Sequence, residues 1–322
     1  MVPLRSLLRG LTHIPRVNSA QQPSCAHARL QFKLRSMQLL AENRTDHMRG
    51  ASTWAGGQSQ DELMLKDECI LVDADDNITG HASKLECHKF LPHQPAGLLH
   101  RAFSVFLFDD QGRLLLQQRA RSKITFPSVW ANTCCSHPLH GQTPDEVDQQ
   151  SQVADGTVPG AKAAAIRKLE HELGIPAHQL PASAFRFLTR LHYCAADVQP
   201  AATQSALWGE HEMDYILFIR ANVTLAPNPD EVDEVRYVTQ EELRQMMQPD
   251  NGLQWSPWFR IIAARFLERW WADLDAALNT DKHEDWGTVH HINEAGTGEN
   301  LYFQGSGGGG SDYKDDDDKG TG

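Results

Sequence analysis

Residues 102–117 read AFSVFLFDDQGRLLLQ, two apolar runs joined by a short polar turn. The runs at 102–108 and 113–117 have the length of buried strands, and the intervening DDQG has turn composition. Because so short a connection joins antiparallel neighbours, the stretch predicts a β-hairpin.

Further elements extend outward from this hairpin. Short apolar runs predict strands at 69–73, 185–193, 213–219 and 235–238. Three helices are predicted: one over 160–173 ended by Gly174, one capped by Thr239 with Glu242 completing a capping box, and one from Ser256 to Leu278. Strands mixed with helices, without regular βαβ alternation, predict a layered α/β or α+β domain of about 230 residues.

The two ends of the chain differ in composition from this body. The first 41 residues contain six basic and no acidic residues, which is typical of an organellar transit peptide, although a plain polar tail has a similar composition. We predict a leader at 1–45, addressed to a plastid, with mitochondrion and cytosol as alternatives. An arm follows at 46–66 and a folded domain at 67–293. Residues 294–322 hold a protease site from Glu299, a glycine-serine linker and an epitope tag.

Overall composition excludes several classes of protein. Of the 322 residues, 40% are hydrophobic, which suffices for a packed core, and no apolar run reaches the roughly 18 residues of a membrane span. The formal net charge of −12 argues against a nucleic-acid partner. Six cysteines without a CxxC pair indicate reduced thiols.

The densest chemical stretch is WANTCCSHP at 130–138, which joins two thiols to an imidazole. His88 and His100 precede the first strand of the hairpin, and Glu210 and Glu212 point to one side of an extended segment. Two carboxylates on one face repel, and a divalent metal held with imidazoles relieves that repulsion. Each residue alone is more simply a structural or surface residue; the combination favours a metal site. Ligand spacing of the structural-zinc type is absent.

A basic set accompanies these residues. Arg119 and Lys123 are four apart after the hairpin, and Lys84 precedes His88. Arginine and lysine at such positions bind phosphate oxygens, with ordinary surface charge as the alternative.

These segments together resemble type 1 isopentenyl-diphosphate Δ-isomerases of the eukaryotic, plant and algal kind. The resemblance spans roughly residues 63–285, and its matching segments are 68–73, 98–108, 114–119, 123–127, 132–138, 208–217 and 257–262. It implies a Nudix-like α/β/α fold, with a mixed sheet flanked by helices. It also implies interconversion of isopentenyl and dimethylallyl diphosphate.

The resemblance assigns roles residue by residue. Cys135 and Glu212 match the catalytic cysteine and glutamate. Tyr193 and Trp258 match residues that line the hydrocarbon pocket, and Tyr193 is a candidate proton relay. The expected ligands of a tightly bound divalent metal (Mg²⁺, Mn²⁺ or Zn²⁺) are His88, His100, His137, Glu210 and Glu212. Glu172 matches a carboxylate that holds Mg²⁺ against the diphosphate, and the matching substrate contacts are Lys84, Arg119, Lys123 and Ser136.

Two departures from the family pattern bear on these roles. His93 offers a second imidazole close to His88, so that this ligand has an alternative. The helix sequence RKLEHE at 167–172 keeps only Glu172 of the acidic cluster used by Nudix hydrolases, which disfavours a diphosphate hydrolase. A silent binder of prenyl diphosphates is a third interpretation. No glycine-rich turn for a flavin is found, the expected partner is a small prenyl diphosphate, and the oligomeric state is open.

Overall fold

The structure, a computed structural model, describes residues 59–197 and 208–292. The predicted leader, most of the predicted arm and the terminal tag lie outside these residues. Within them, no helix is both long enough and apolar enough to cross a bilayer.

Ten strands form one mixed sheet in the described part of the chain. They are β1 (Glu68–Val72), β2 (Ile78–Ser83), β3 (His100–Phe108), β4 (Leu114–Arg119), β5 (Trp130–Ala131), β6 (Cys134–Ser136), β7 (Arg186–Ala196), β8 (Gly209–Arg220), β9 (Val232–Val238) and β10 (Asp285–Ile292). The main path runs β10-β7-β8-β3-β1-β2, while β4, β5, β6 and β9 branch from it. The pairs β3–β8 and β10–β7 are parallel, and the remaining pairs are antiparallel.

Helices cover both faces of this sheet. They are α1 (Gln60–Lys66), α2 (Lys84–His88), α3 (Gln150–Ala154), α4 (Pro159–Leu173), α5 (Gln240–Met246), α6 (Pro257–Ile262), α7 (Glu268–Ala272) and α8 (Leu274–Asn279). A π-helical turn, Ala263–Leu267, joins α6 to α7, and short 3-10 turns occur at Ala177–Gln179, Ala182–Ala184 and Pro249–Asn251.

Two hydrophobic cores follow from the alternation of side chains along β3. Phe106 and Phe108 pack with α6 to α8 on one face of the sheet, and Val105 and Leu107 pack with α4 on the other. Every residue of β3 is buried, as expected of a strand covered on both faces. The arrangement is the layered α/β/α sandwich, a mixed sheet flanked by helices, that was expected from the sequence.

The strand β3 also brings distant segments together. One of its edges pairs with β8, and His100 lies opposite Glu212 in this pairing. Its other edge pairs with β6, where Ser104 lies opposite Cys135. The candidate histidine, glutamate and cysteine therefore meet around one strand, although they lie far apart in the chain.

The structure corrects two predictions of local structure. The strands of the predicted hairpin pair only at Phe108 and Leu114, because β4 turns away to pair with β9 along its whole length. The predicted helix from Ser256 to Leu278 is interrupted by the π-helical turn and ends its middle section at Asp273, whose backbone leaves helical geometry. The predictions for α4, ended by Gly174 at φ 61°, and for the Thr239 capping box are confirmed.

Residues 60–66, predicted as part of the arm, form α1. Ser59 and Glu62 cap this helix reciprocally, and Met64 is buried. The Gln60 amide donates to Glu231 at 2.8 Å, which ties α1 to the loop before β9.

Candidate active site

A pocket opens where β3, β6 and β8 meet α2 and α6. Its lining consists of Lys84, His88, Arg119, Lys123, Thr125, Cys135, Ser136, His137, Lys168, Glu172, Glu210, Glu212 and Trp258. All the predicted site residues line it except Tyr193 and His100. Both of these lie behind Glu212: the Tyr193 hydroxyl donates a short hydrogen bond to its carboxylate, and Nε2 of His100 is 3.9 Å from Oε1.

Within the thiol pair, only Cys135 lines the pocket. Its Sγ donates to Oδ1 of Asn132 at 2.8 Å and accepts the indole N–H of Trp258 at 2.8 Å. Neighbouring residues of a strand point to opposite faces, so Cys134 turns into the core beneath α4, with its Sγ 3.5 Å from Oε2 of Glu172. The structure thus distinguishes the two thiols by position.

The surroundings of Cys135 keep its thiol protonated. Burial raises its pKa well above the usual value, and the nearby carboxyl of Asp214 raises it further. Ser104 lies between these two groups, with Oγ 2.8 Å from Oδ2 of Asp214 and 3.6 Å from Sγ. The thiol is therefore protonated and held in a defined orientation.

Beside the thiol lies a buried cluster of three imidazoles and two carboxylates. One potential ligand atom from each of His88, His100, His137, Glu210 and Glu212 lies within 4.8 Å of all the others. Nε2 of His88 is 2.7 Å from Oε2 of Glu210, yet neither atom has a hydrogen-bond partner of proper geometry within the described residues. Nε2 of His100 is likewise without one among the described residues. Buried nitrogen and oxygen atoms that converge without hydrogen bonding suit a metal ion.

Local structure aims the imidazoles at the centre of the cluster. The other ring nitrogen of His88 lies 2.7 Å from the carbonyl oxygen of Lys84, one turn earlier in α2. Nδ1 of His100 lies 2.7 Å from the carbonyl oxygen of Leu98. Backbone carbonyls that hold Nδ1 leave Nε2 free to bind metal. His93, the alternative ligand, is exposed and outside the cluster.

The protonation states of the two imidazoles His100 and His137 suit metal binding. Burial lowers the pKa of His100 to about 3 and that of His137 well below its usual value, each helped by the neighbouring His88, so these two rings are neutral. Burial also raises the pKa of Glu212, and Glu210 and Asp214 raise it further. Neutral rings can each offer a nitrogen lone pair to a metal, and a divalent cation would favour the ionised form of the crowded carboxyls. The residues therefore fit a metal with nitrogen and oxygen ligands.

One wall of the pocket, the cationic wall, is formed by basic side chains. Its positive side chains are those of Lys84, Arg119, Lys123 and Lys168. The Arg119 guanidinium donates to the carbonyl oxygens of Phe126 and Thr125 and lies 5.6 Å from the ring centroid of Trp258. The acidic chain thus places local positive charge where an anionic ligand can enter.

Two buried carboxylates balance these cations. Nζ of Lys123 lies 2.5 Å from Glu231, and Nζ of Lys168 lies 3.1 Å from Glu172. Burial alone would raise the pKa of Glu172, but Lys168 holds it below its usual value, so the carboxylate is ionised. An ionised carboxylate at the cationic wall is suited to a hard cation such as Mg²⁺.

Sequence reasoning missed several residues that shape the site. Asn132 lies within the quoted 130–138 stretch, and its position three residues before Cys135 is a signal that could have found it. Asp214 follows the two glutamates at the same alternate spacing. Glu231 has no local signal, because its partner Lys123 is 108 residues away in the chain.

Known proteins resemble this chain in sequence. Residues 98–259 match the profile of the NUDIX domain. The chain is 49% identical over 224 residues to an isopentenyl-diphosphate delta-isomerase of Gibberella zeae, covering 69% of this chain and 83% of that protein. It is 48% identical over 219 residues to one of Schizosaccharomyces pombe, covering 68% and 90%. It is 44% identical over 237 residues to the chloroplastic isopentenyl-diphosphate delta-isomerase I of Arabidopsis thaliana, covering 72% and 76%.

Proposed function

The chain belongs to the isopentenyl-diphosphate delta-isomerase family, and on that premise we propose that it interconverts isopentenyl and dimethylallyl diphosphate for isoprenoid biosynthesis. The observation that carries the proposal is the pocket itself. It holds a thiol and a carboxyl group, Cys135 and Glu212, beside a cationic wall. The substrate combines a small apolar alkene with a diphosphate tail, and this pocket offers groups for both parts.

The reaction moves a carbon–carbon double bond by one position. One proton is added at the end of the alkene, another is removed two carbons away, and positive charge develops between them. Cys135 and Glu212 exchange these protons from opposite sides of the five-carbon chain. For the exchange to balance, the group that donates the first proton starts protonated and its partner starts ionised; the raised pKa of each lets it hold a proton that it has taken up near neutral pH.

Tyr193 and Trp258 assist this exchange. The Tyr193 hydroxyl, whose pKa burial and Glu212 raise, stays protonated and passes a proton to or from the Glu212 carboxylate. Trp258 orients the thiol through its indole N–H, and its ring faces the developing positive charge. Such a cation–π contact contributes up to about 2 kcal/mol in a desolvated site.

The diphosphate tail binds at the cationic wall through Lys84, Arg119, Lys123 and Ser136. Glu172 would hold an Mg²⁺ ion that supplies positive charge for the same tail, since the carboxylate is ionised and lines the pocket. Binding of the tail orients the alkene between Cys135 and Glu212.

His88, His100, His137, Glu210 and Glu212 would hold the second divalent metal. The three imidazoles favour Zn²⁺ over Mg²⁺, and the two carboxylates also suit Mn²⁺. When bound, this metal supplies positive charge that favours the ionised form of Glu212 and orients its carboxylate. No flavin takes part in the proposed reaction.

We further propose that residues 1–45 direct the protein to a plastid, where the product supplies carotenoid and chlorophyll precursors. The first 41 residues, which contain no acid, and the chloroplastic relative support this proposal. A fluorescent protein fused after residue 45 should enter plastids, and retention of the fusion in the cytosol would contradict it.

Product analysis tests the proposed reaction. Purified protein incubated with isopentenyl diphosphate and Mg²⁺ should yield dimethylallyl diphosphate with the diphosphate intact. Release of phosphate or pyrophosphate without isomerisation would instead identify a Nudix-type hydrolase.

Metal removal should inactivate the enzyme. Dialysis against a strong chelator is expected to abolish turnover, because the five clustered side chains lose the charge that balances two buried carboxyls. Zn²⁺ or Mn²⁺ should restore activity, with metal content followed by elemental analysis. Full activity in protein verified to be metal-free would contradict the proposed role of the cluster.

The pH profile should reveal Lys123. Burial lowers the pKa of its ammonium group to about 8, a shift opposed by Glu231 and reinforced by Arg119. Below that pH the side chain is charged and binds diphosphate, and above it the charge is lost. We therefore expect kcat/KM to fall with slope approaching roughly tenfold per pH unit above the pKa.

The variant Lys123→Arg serves as the control for this profile. Arginine stays charged across the accessible range, so the descending limb near pH 8 should disappear. An unchanged limb in this variant would assign the titration to another group.

A further inference from the structure

A second cluster of metal-binding side chains lies on the surface, outside the pocket. Glu68, His81 and His140 each offer one ligand atom, and these three atoms lie within 4.8 Å of one another. None of the three lines the pocket. The imidazole rings of His81 and His140 are stacked, with centroids 3.9 Å apart and planes 3° from parallel. Nδ1 of His81 is in close contact with Oε2 of Glu68.

The three side chains come from three adjacent backbone segments. The antiparallel pairing of β1 with β2 aligns Ile70 with His81, so Glu68, two residues earlier, lies diagonally across from His81 on the same face. Along the other edge of β1, Cys69 forms an antiparallel bridge with Leu139, and the backbone N–H of His140 donates to the carbonyl oxygen of Glu68 at 2.8 Å. Glu68 is thus flanked by the two histidines.

The backbone that carries His140 is held in place without a metal. Leu139 is buried against Cys69 and Cys87, and its N–H donates to the Glu146 carboxylate at 2.8 Å. Arg167 binds the same carboxylate and also the carbonyl oxygen of His137. Glu68, His81 and His140 therefore stand on a preorganised backbone, and only their side chains need to move to close around an ion.

We propose that Glu68, His81 and His140 form a further metal site, on the surface and separate from the buried cluster, that takes a transition-metal ion such as Zn²⁺. Two imidazoles and one carboxylate match the donor preference of Zn²⁺, whereas Mg²⁺ prefers oxygen ligands alone. Tetrahedral ligands each about 2.0–2.1 Å from Zn²⁺ lie roughly 3.4 Å apart, and the two stacked rings must rotate out of their parallel arrangement for both nitrogens to point at one ion.

An ion bound at this site would link the segment after β6, which carries His140, to strands β1 and β2. That segment contains His137, a member of the buried cluster, three residues before His140. Because the ion binds the folded arrangement and not the unfolded chain, it raises the melting temperature, and the rise grows with the logarithm of the Zn²⁺ concentration once that exceeds the Kd. The site is independent of the proposed isomerisation, and its readout is binding and thermal stability.

Calorimetric titration with Zn²⁺ tests the proposal on the full-length protein. The buried cluster is first loaded with Zn²⁺ and excess ion is removed by gel filtration. The parent protein should then bind one further equivalent, with a rise in melting temperature that equal concentrations of Mg²⁺ do not produce. His81→Ala and Glu68→Gln should lose or weaken that equivalent and the associated thermal shift.

His93→Ala is the matched control, since it removes an exposed histidine outside the cluster. It should bind the further equivalent like the parent, and any binding by the terminal segments is common to all variants. Circular dichroism verifies that each variant is folded. If His81→Ala and Glu68→Gln bind Zn²⁺ with the affinity and stoichiometry of the parent, the three side chains are an ordinary stacked surface contact and the proposal is wrong.

Discussion

We expect Cys135→Ala to lower kcat by roughly 10³-fold or more, because loss of a positioned proton donor or acceptor removes most of the acid–base contribution. The fold and the metal content should be unchanged, since the thiol is not among the clustered ligands. Initial rates with isopentenyl diphosphate, together with elemental analysis, measure both properties.

Cys134→Ala is the matched control for this variant. It also deletes a thiol, that of the preceding residue, which points into the core beneath α4. The expected result is a modest loss of stability with most of the activity retained, as for a small buried cavity. A Cys135→Ala enzyme as active as the parent would remove the thiol from the mechanism, and equal inactivation of both variants would indicate damage to the shared strand.

A comparable loss, again roughly 10³-fold in kcat, is expected for Glu212→Gln, which keeps the size of the side chain but removes its proton-exchanging carboxylate. Glu212 contacts His137 at 2.9 Å and also accepts from Tyr193, so the change affects both metal binding and proton transfer. A second variant is needed to separate these two effects.

Glu210→Gln provides that separation. It also removes one carboxylate from the metal cluster, but Glu210 has no proposed role in proton transfer. Excess Zn²⁺ or Mn²⁺ should restore much of the activity of Glu210→Gln and none of that of Glu212→Gln at matched metal content. Equal rescue of the two variants would show that Glu212 acts as a metal ligand only.

Local structure was predictable where local forces determine it. The 159–173 helix ends at Gly174 because that residue adopts φ 61°, which favours glycine, and the Thr239–Glu242 capping box forms as its spacing predicts. The hairpin was predicted less well. Two short strands joined by a turn predict that β3 and β4 are neighbours. They do not specify that β4 pairs along its whole length with β9 instead. Strand β10, which pairs in parallel with β7, was not predicted.

Some residues of the site were likewise indicated by local sequence, whereas others are placed by long-range packing. The motif at 130–138 and the alternation of Glu210 and Glu212 pointed to the thiol and the carboxylates from sequence. The pairing of His100 with Glu212 depends on a parallel register between β3 and β8, which no local pattern encodes. The buried Lys123–Glu231 pair likewise depends on long-range packing. Which thiol faces the pocket depends on the strand's orientation, and the structure supplies it.

The exchange of hydrogen with solvent tests the central claim most directly. Isopentenyl diphosphate is incubated with the purified protein in deuterated water, and both isomers are recovered and examined by mass spectrometry. Reversible protonation by Cys135 and Glu212 predicts deuterium in dimethylallyl diphosphate and in the recovered isopentenyl diphosphate, and no incorporation with Cys135→Ala. Dimethylallyl diphosphate formed without any label would contradict protonation from solvent-exchangeable groups, and with it the proton-exchanging roles of Cys135 and Glu212.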